Sequence, residues 1–132
     1  MKSLKNCSPL VIVLFFLLLS CGSSGQVVTQ EVTADELKEL LKQDILLVDV
    51  RTPNEYEQGR IAGSRLVNYR DDDFASKIAQ LDTDKPVAVY CAAGGRSTSA
   101  MKVFQDAGFK TIYNYKGGFG DWKNRGESIE ND

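Results

Sequence analysis

The 132-residue sequence contains no histidine. That absence excludes Ser-His-Asp and Cys-His catalysis. It also removes the imidazole on which most zinc and haem sites rely, so no metal and no cofactor is expected. Cysteine is scarce, with Cys7, Cys21 and Cys91 the only three, too few for a disulfide scaffold. No apolar run approaches the roughly 20 residues that a membrane-spanning helix needs. Neither sign of charge dominates, at 16 basic against 18 acidic residues. The basic residues are scattered singly, which gives no nucleic-acid surface. Internal repeats and low-complexity segments are also missing. What remains is one globular domain with a single core.

The N-terminus departs from this ordinary composition. Lys2 and Lys5 precede an apolar run at 10–19, the pattern of an export signal. LLSC at 18–21 resembles the bacterial lipobox, in which the chain is cut before a cysteine that then carries lipid. Residues 1–20 are therefore expected to be removed and Cys21 lipidated, with 21–27 a flexible tether. The cut takes two basic residues and leaves 14 against 18 acidic, a net of −4. It also leaves Cys91 as the one free thiol, in an envelope compartment that tends to oxidise thiols. The expected location is the bacterial cell envelope, facing the periplasm.

Beyond residue 27 the pattern alternates between strand and helix. An edge strand is expected at 27–30. TADE at 33–36 is a capping box, with Val32 and Leu37 placed as a hydrophobic staple, opening a helix over 34–43. ILLVDV at 45–50 and VAVY at 87–90 read as strands covered on both faces. Thr52 and Pro53 open a short helix to residue 58. A strand at 66–68 precedes a helix carrying Phe74, Ile78 and Leu81, with Asp71, Asp72 and Asp73 near its N-terminus. A helix over 96–107 ends at Gly108 as its C′ residue. A strand at 111–113 and a helix around Trp122 complete the chain. Such alternation predicts an α/β/α domain with a central, mainly parallel sheet of about five strands.

Cys91 falls where the second buried strand meets a helix, in the segment CAAGGRS at 91–97. In parallel sheets this end of the strands carries function. A thiolate there is stabilised by inward-pointing loop amides, by the helix dipole, by Arg96 and by the hydroxyl of Ser97 or Thr98. Ala92, Ala93, Gly94 and Gly95 allow a tight turn and leave room above the sulfur. Asp49 and Arg51, two apart at a strand end, read as a structural ion pair. Gly117 and Gly118 read as a turn or close backbone approach, and Trp122 as a packing anchor.

This loop resembles the active-site loop of the rhodaneses, the sulfurtransferase domain family. DVRTPNEY at 49–56 followed by GRIAGS at 59–64 resembles the N-terminal signature of that family, with RLVN at 65–68 matching the strand after it. KGGFGDW at 116–122 resembles the C-terminal signature. The resemblance covers 28–126, leaving 127–132 as a polar tail. Arg60 and Ala62 replace a usual histidine and proline. The resemblance implies that Cys91 is the nucleophile and persulfide carrier, and that Arg96 steadies negative charge. It implies that Ala92, Ala93, Gly94, Gly95 and Ser97 surround the substrate. The implied donor is a small sulfur-containing anion such as thiosulfate. The implied acceptor is a thiol, cyanide or a protein. A monomer is expected. The alternatives are an envelope sulfur carrier or thiol sensor acting on a protein partner, a binding module, and a phosphatase or arsenate reductase. Phosphatase loops of this broad type place five residues between cysteine and arginine, whereas CAAGGR has four.

Overall fold

A computed structural model describes residues 25–132. The expected signal segment, Cys7 and Cys21 lie outside the described residues. The chain forms β1 (Val28–Glu31), α1 (Ala34–Leu40), β2 (Leu46–Asp49), α2 (Pro53–Glu57), β3 (Arg60–Ile61) and β4 (Arg65–Leu66). It continues with α3 (Phe74–Ala79), β5 (Val87–Tyr90), α4 (Gly95–Asp106), β6 (Thr111–Tyr115), α5 (Gly118–Asn124) and β7 (Ile129–Glu130). Five strands make a parallel sheet in the order β1-β6-β5-β2-β4. The α/β class and the five-stranded central sheet agree with the sequence reading.

Period-two alternation divides the apolar residues between the two faces of this sheet. Val48, Val87, Val89 and Ile112 pack with Phe74, Ile78, Ala100 and Phe104 from α3 and α4. Leu47, Ala88, Tyr90 and Tyr115 pack on the other face with Leu37 of α1 and Trp122 of α5. β5 is buried at every position, because β2 and β6 flank it and helices cover both sides.

Local signals fix the helix ends. Thr33 and Glu36 form the expected capping box, and Val32 and Leu37 are both buried beside it. α4 ends in a Schellman motif. Gly108 takes φ +103° and donates to the Gln105 carbonyl at 3.1 Å, while Phe109 donates to that of Phe104 at 3.2 Å. The Phe104 and Phe109 rings meet at 5.6 Å across the turn.

Asp73 stands at the N-cap of α3 without a side-chain cap bond, and Asp71 and Asp73 both hold Lys77, at 2.9 and 3.0 Å. One expectation is corrected. Two short strands were not anticipated, β3 and β7, which pair antiparallel. The expected polar tail is consequently part of the fold, with Ile129 opposite Ile61 and Arg60 bound to Asp132 at 2.8 Å. Two-residue strands carry no periodicity that a sequence pattern could register.

Phe104 is fully buried where the face covered by α3 and α4 meets the Schellman turn. Phe104→Ala is expected to lower stability by about 3–5 kcal/mol. Urea unfolding would read this as a lower midpoint at an unchanged m-value.

Candidate active site

β5 delivers Cys91 to the carboxyl end of the sheet, and the thiol is 1% exposed. The chain turns there through 91–94 and enters α4 at Gly95. The Gly94 N–H points at Sγ from 3.1 Å, and the Ser97 hydroxyl lies 3.7 Å from it. Ser97 is buried, and its hydroxyl also reaches the Gly94 carbonyl at 3.2 Å. Burial pushes the Cys91 thiol up. The N–H and hydroxyl of Ser97, with the N–H groups of Ala93 and Gly94, outweigh that and hold it below the ordinary thiol value.

The opposite side of the loop sets the direction of the Ala93 N–H among these groups. Phe119 N–H donates to the Cys91 carbonyl at 2.8 Å, and Gly120 N–H to the Ala92 carbonyl at 3.0 Å. A planar trans peptide points its C=O and N–H in opposite directions. Fixing those two carbonyls toward α5 therefore turns the next two amides away from it. The approach requires glycine. Gly118 adopts φ +67°, and a Cβ there would lie 2.6 Å from both carbonyl oxygens. Gly94 adopts φ +96°, and its Cβ would meet the Lys116 carbonyl at 2.5 Å. The two glycine-bearing segments, 94–95 and 117–118, thus interlock.

Arg96 does not stand as a free charge. Its Nη1 and Nη2 bind Glu55 Oε2 and Oε1 at 2.7 and 2.8 Å. The same Glu55 closes the capping box of α2, accepting from the Thr52 N–H at 2.9 Å and the Thr52 hydroxyl at 2.8 Å. Hydrogen bonds from Arg96 hold the Glu55 carboxyl well below the usual carboxylate range. Sequence reasoning missed this role. The T-x-x-E pattern at 52–55 marks a capping box, but nothing in it names a partner 41 residues away.

Behind the loop, Asp49 and Arg51 form a buried ion pair. Arg51 Nη2 reaches Asp49 Oδ2 at 2.7 Å, and its backbone N–H donates to Oδ1 at 2.9 Å. Nη2 also donates to the Gly59 carbonyl at 2.7 Å. The guanidinium lies 4.2 Å from the Phe119 ring centre, so this pair braces the turn that holds the Cys91 carbonyl.

The other expected site residues spread around this centre. Ala92 is half-buried, Ala93 and Gly95 are exposed, and a Cβ on Gly95 would meet nothing within 4 Å. A Cβ on Gly117 would meet the Asp121 carboxylate at 2.8 Å. Trp122 is buried, edge-on to Tyr115 at 6.0 Å, and donates to the Ser128 carbonyl at 2.9 Å. Arg60 lies over the Tyr56 ring and faces Glu130 and Asp132, so its charge is met by the C-terminal strand. Among the described residues no cluster of metal-ligating side chains occurs.

Two outcomes follow from this geometry. Asp49→Asn leaves the buried Arg51 charge uncompensated and should cost about 3–5 kcal/mol, readable in urea unfolding. Because folding lowers its pKa, ionised Cys91 stabilises the folded state. That contribution is present above the unfolded pKa and is lost as pH falls through the lower folded value. Iodoacetamide alkylation of Cys91 should accordingly inflect below the free-thiol value of about 8.5. Gly118→Ala should move the inflection up toward it.

A family model for the rhodanese-like domain matches residues 33–125. The thiosulfate sulfurtransferase GlpE of Pseudomonas paraeruginosa is 36% identical over 95 residues, covering 71% of this chain and 84% of the relative. The uncharacterized protein YqhL of Bacillus subtilis is 42% identical over 76 residues, covering 58% of this chain and 59% of its own. Among solved structures, a rhodanese-related protein from Thermoplasma volcanium superposes with TM-score 0.70 at 30% identity, covering 78% of this chain and 99% of the other. A rhodanese-like domain protein from Staphylococcus aureus superposes with TM-score 0.66 at 26% identity, covering 78% and 98%. Family model, sequence relatives and solved structures agree: the chain belongs to the rhodanese-like domain family.

Proposed function

We propose that this protein is a rhodanese-type sulfurtransferase that carries sulfane sulfur on Cys91. The observation that carries the reading is a thiol at a strand end, aimed at by backbone N–H groups and held below its ordinary pKa. Relatives named thiosulfate sulfurtransferase support it. In the first step the Cys91 thiolate attacks the outer sulfur of a donor such as thiosulfate. The new S–S bond forms as the donor S–S bond breaks, and sulfite leaves with its electron pair. The resulting persulfide anion keeps the loop amides as its partners. A thiophilic acceptor (cyanide in an assay, a thiol in the cell) then takes the terminal sulfur and restores the thiolate. This double displacement is covalent catalysis by the chain's own residues.

A carrier acting on a protein acceptor is a second reading, favoured by the exposure of Ala93 and Gly95 at the loop. Intact mass spectrometry tests the Cys91 persulfide on which both readings depend. Thiosulfate should add one sulfur atom to the protein, cyanide should remove it, and Cys91→Ser should gain none. No gain from thiosulfate or from a polysulfide would overturn the sulfurtransferase reading.

We also propose that the domain is anchored to a bacterial membrane through lipid on Cys21. The support is the sequence alone, from the lysines, the apolar run and LLSC at 18–21. Cys21→Ser should shift the protein from the membrane to the soluble fraction on cell fractionation. Unchanged partition would count against the anchor.

A further inference from the structure

Glu55 and Arg96 form a fork-to-fork pair at the head of the active loop, with side chains 32% and 21% exposed. Bidentate carboxylate–guanidinium contacts fix both groups and leave little net charge. Arg96 is also close enough to Cys91 for the thiolate charge to act on it. The loop itself brings no other charged side chain, since 91–95 is Cys-Ala-Ala-Gly-Gly. The positive charge that would attract an anionic donor is thus balanced before any donor arrives.

We propose that Glu55 is a specificity-determining residue. By cancelling the charge of Arg96 it disfavours dianionic donors and turns the site toward sulfane-sulfur donors of low charge, such as alkyl persulfides. The inference rests on the sulfurtransferase reading and narrows its donor class. With such a donor, R–S–SH, the Cys91 thiolate bonds to the terminal sulfur. The donor S–S bond breaks, R–S⁻ leaves with the electron pair, and the proton stays on the transferred sulfur. Thiosulfate places a second negative charge beside the reacting sulfur and gains least from a neutral pair.

Glu55→Gln separates the two jobs of this residue. Glutamine serves at the third position of a capping box as glutamate does, so α2 keeps its cap while Arg96 regains its charge. The readout on the full chain is the ratio of Cys91 alkylation rates by iodoacetate, an anion, and iodoacetamide, which is neutral. Both reagents attack the same thiolate, so changes in its pKa cancel. Sulfur transfer is not required.

Glu55→Gln should raise the ratio about three- to tenfold at low ionic strength. Added salt should shrink that gain, and Glu55→Gln combined with Arg96→Met should abolish it. Arg96→Met alone leaves Glu55 uncompensated and should lower the ratio below wild type, which keeps the test open if the glutamine variant folds poorly. In turnover, Glu55→Gln should improve kcat/KM for thiosulfate relative to an alkyl persulfide, through KM. An unchanged or reduced ratio in Glu55→Gln would sink the inference, as would a rise that persists without Arg96. A raised ratio in a protein that forms no persulfide from any donor would sink the sulfurtransferase reading instead and leave the electrostatic assignment of Glu55 standing.

Discussion

The architecture of the site depends on where two carbonyl groups go. The Ala93 amide can face Sγ only if the Ala92 carbonyl faces elsewhere, and the carbonyls of Cys91 and Ala92 both need donors. Phe119 and Gly120 supply them. Gly118 makes the contact possible, because any side chain there would strike both oxygens. Part of the amide environment of the thiol is therefore set by a turn 27 residues downstream, through hydrogen bonds that never touch sulfur.

Charge is handled in a second, outer layer. Asp49 with Arg51 and Glu55 with Arg96 are two compact pairs, one fully buried and one at the rim. The inner pair has no access to a donor. Its worth lies in joining the end of β2 to Gly59 and Phe119, and so in holding α5 against the loop. The outer pair joins α2 to the head of α4. With no histidine in the chain, these contacts, the Ser97 hydroxyl and the backbone amides supply the polar environment of the thiol.

Much of this was legible in the sequence because its signals are local. ILLVDV is a nearly continuous and VAVY a continuous apolar run, as a doubly covered strand requires, and both became central strands. The capping box at 33–36 and Gly108 marked helix ends through bonds spanning three to five residues. The position of Cys91 at a strand-to-helix junction followed from the same logic. What stayed hidden depends on distance along the chain. Arg96 could be recognised as a charge near the thiol, but its neutralisation by Glu55 belongs to the tertiary fold. The same holds for β3 and β7, whose pairing is supported by Arg60 reaching Glu130 and Asp132. The hold of Asp71 and Asp73 on Lys77, one turn into α3, was not read from the run of three aspartates.

The sheet also gives the domain a direction. Its five strands all run the same way, so the chain enters β1 at one end of the sheet and Cys91 emerges at the other. At about 3.3 Å per residue, a four-residue strand separates those ends by roughly 13 Å. Whatever is attached ahead of Val28 joins the face remote from the thiol. Tethering by that end would leave the reactive loop pointing outward, free to meet a partner from the open side.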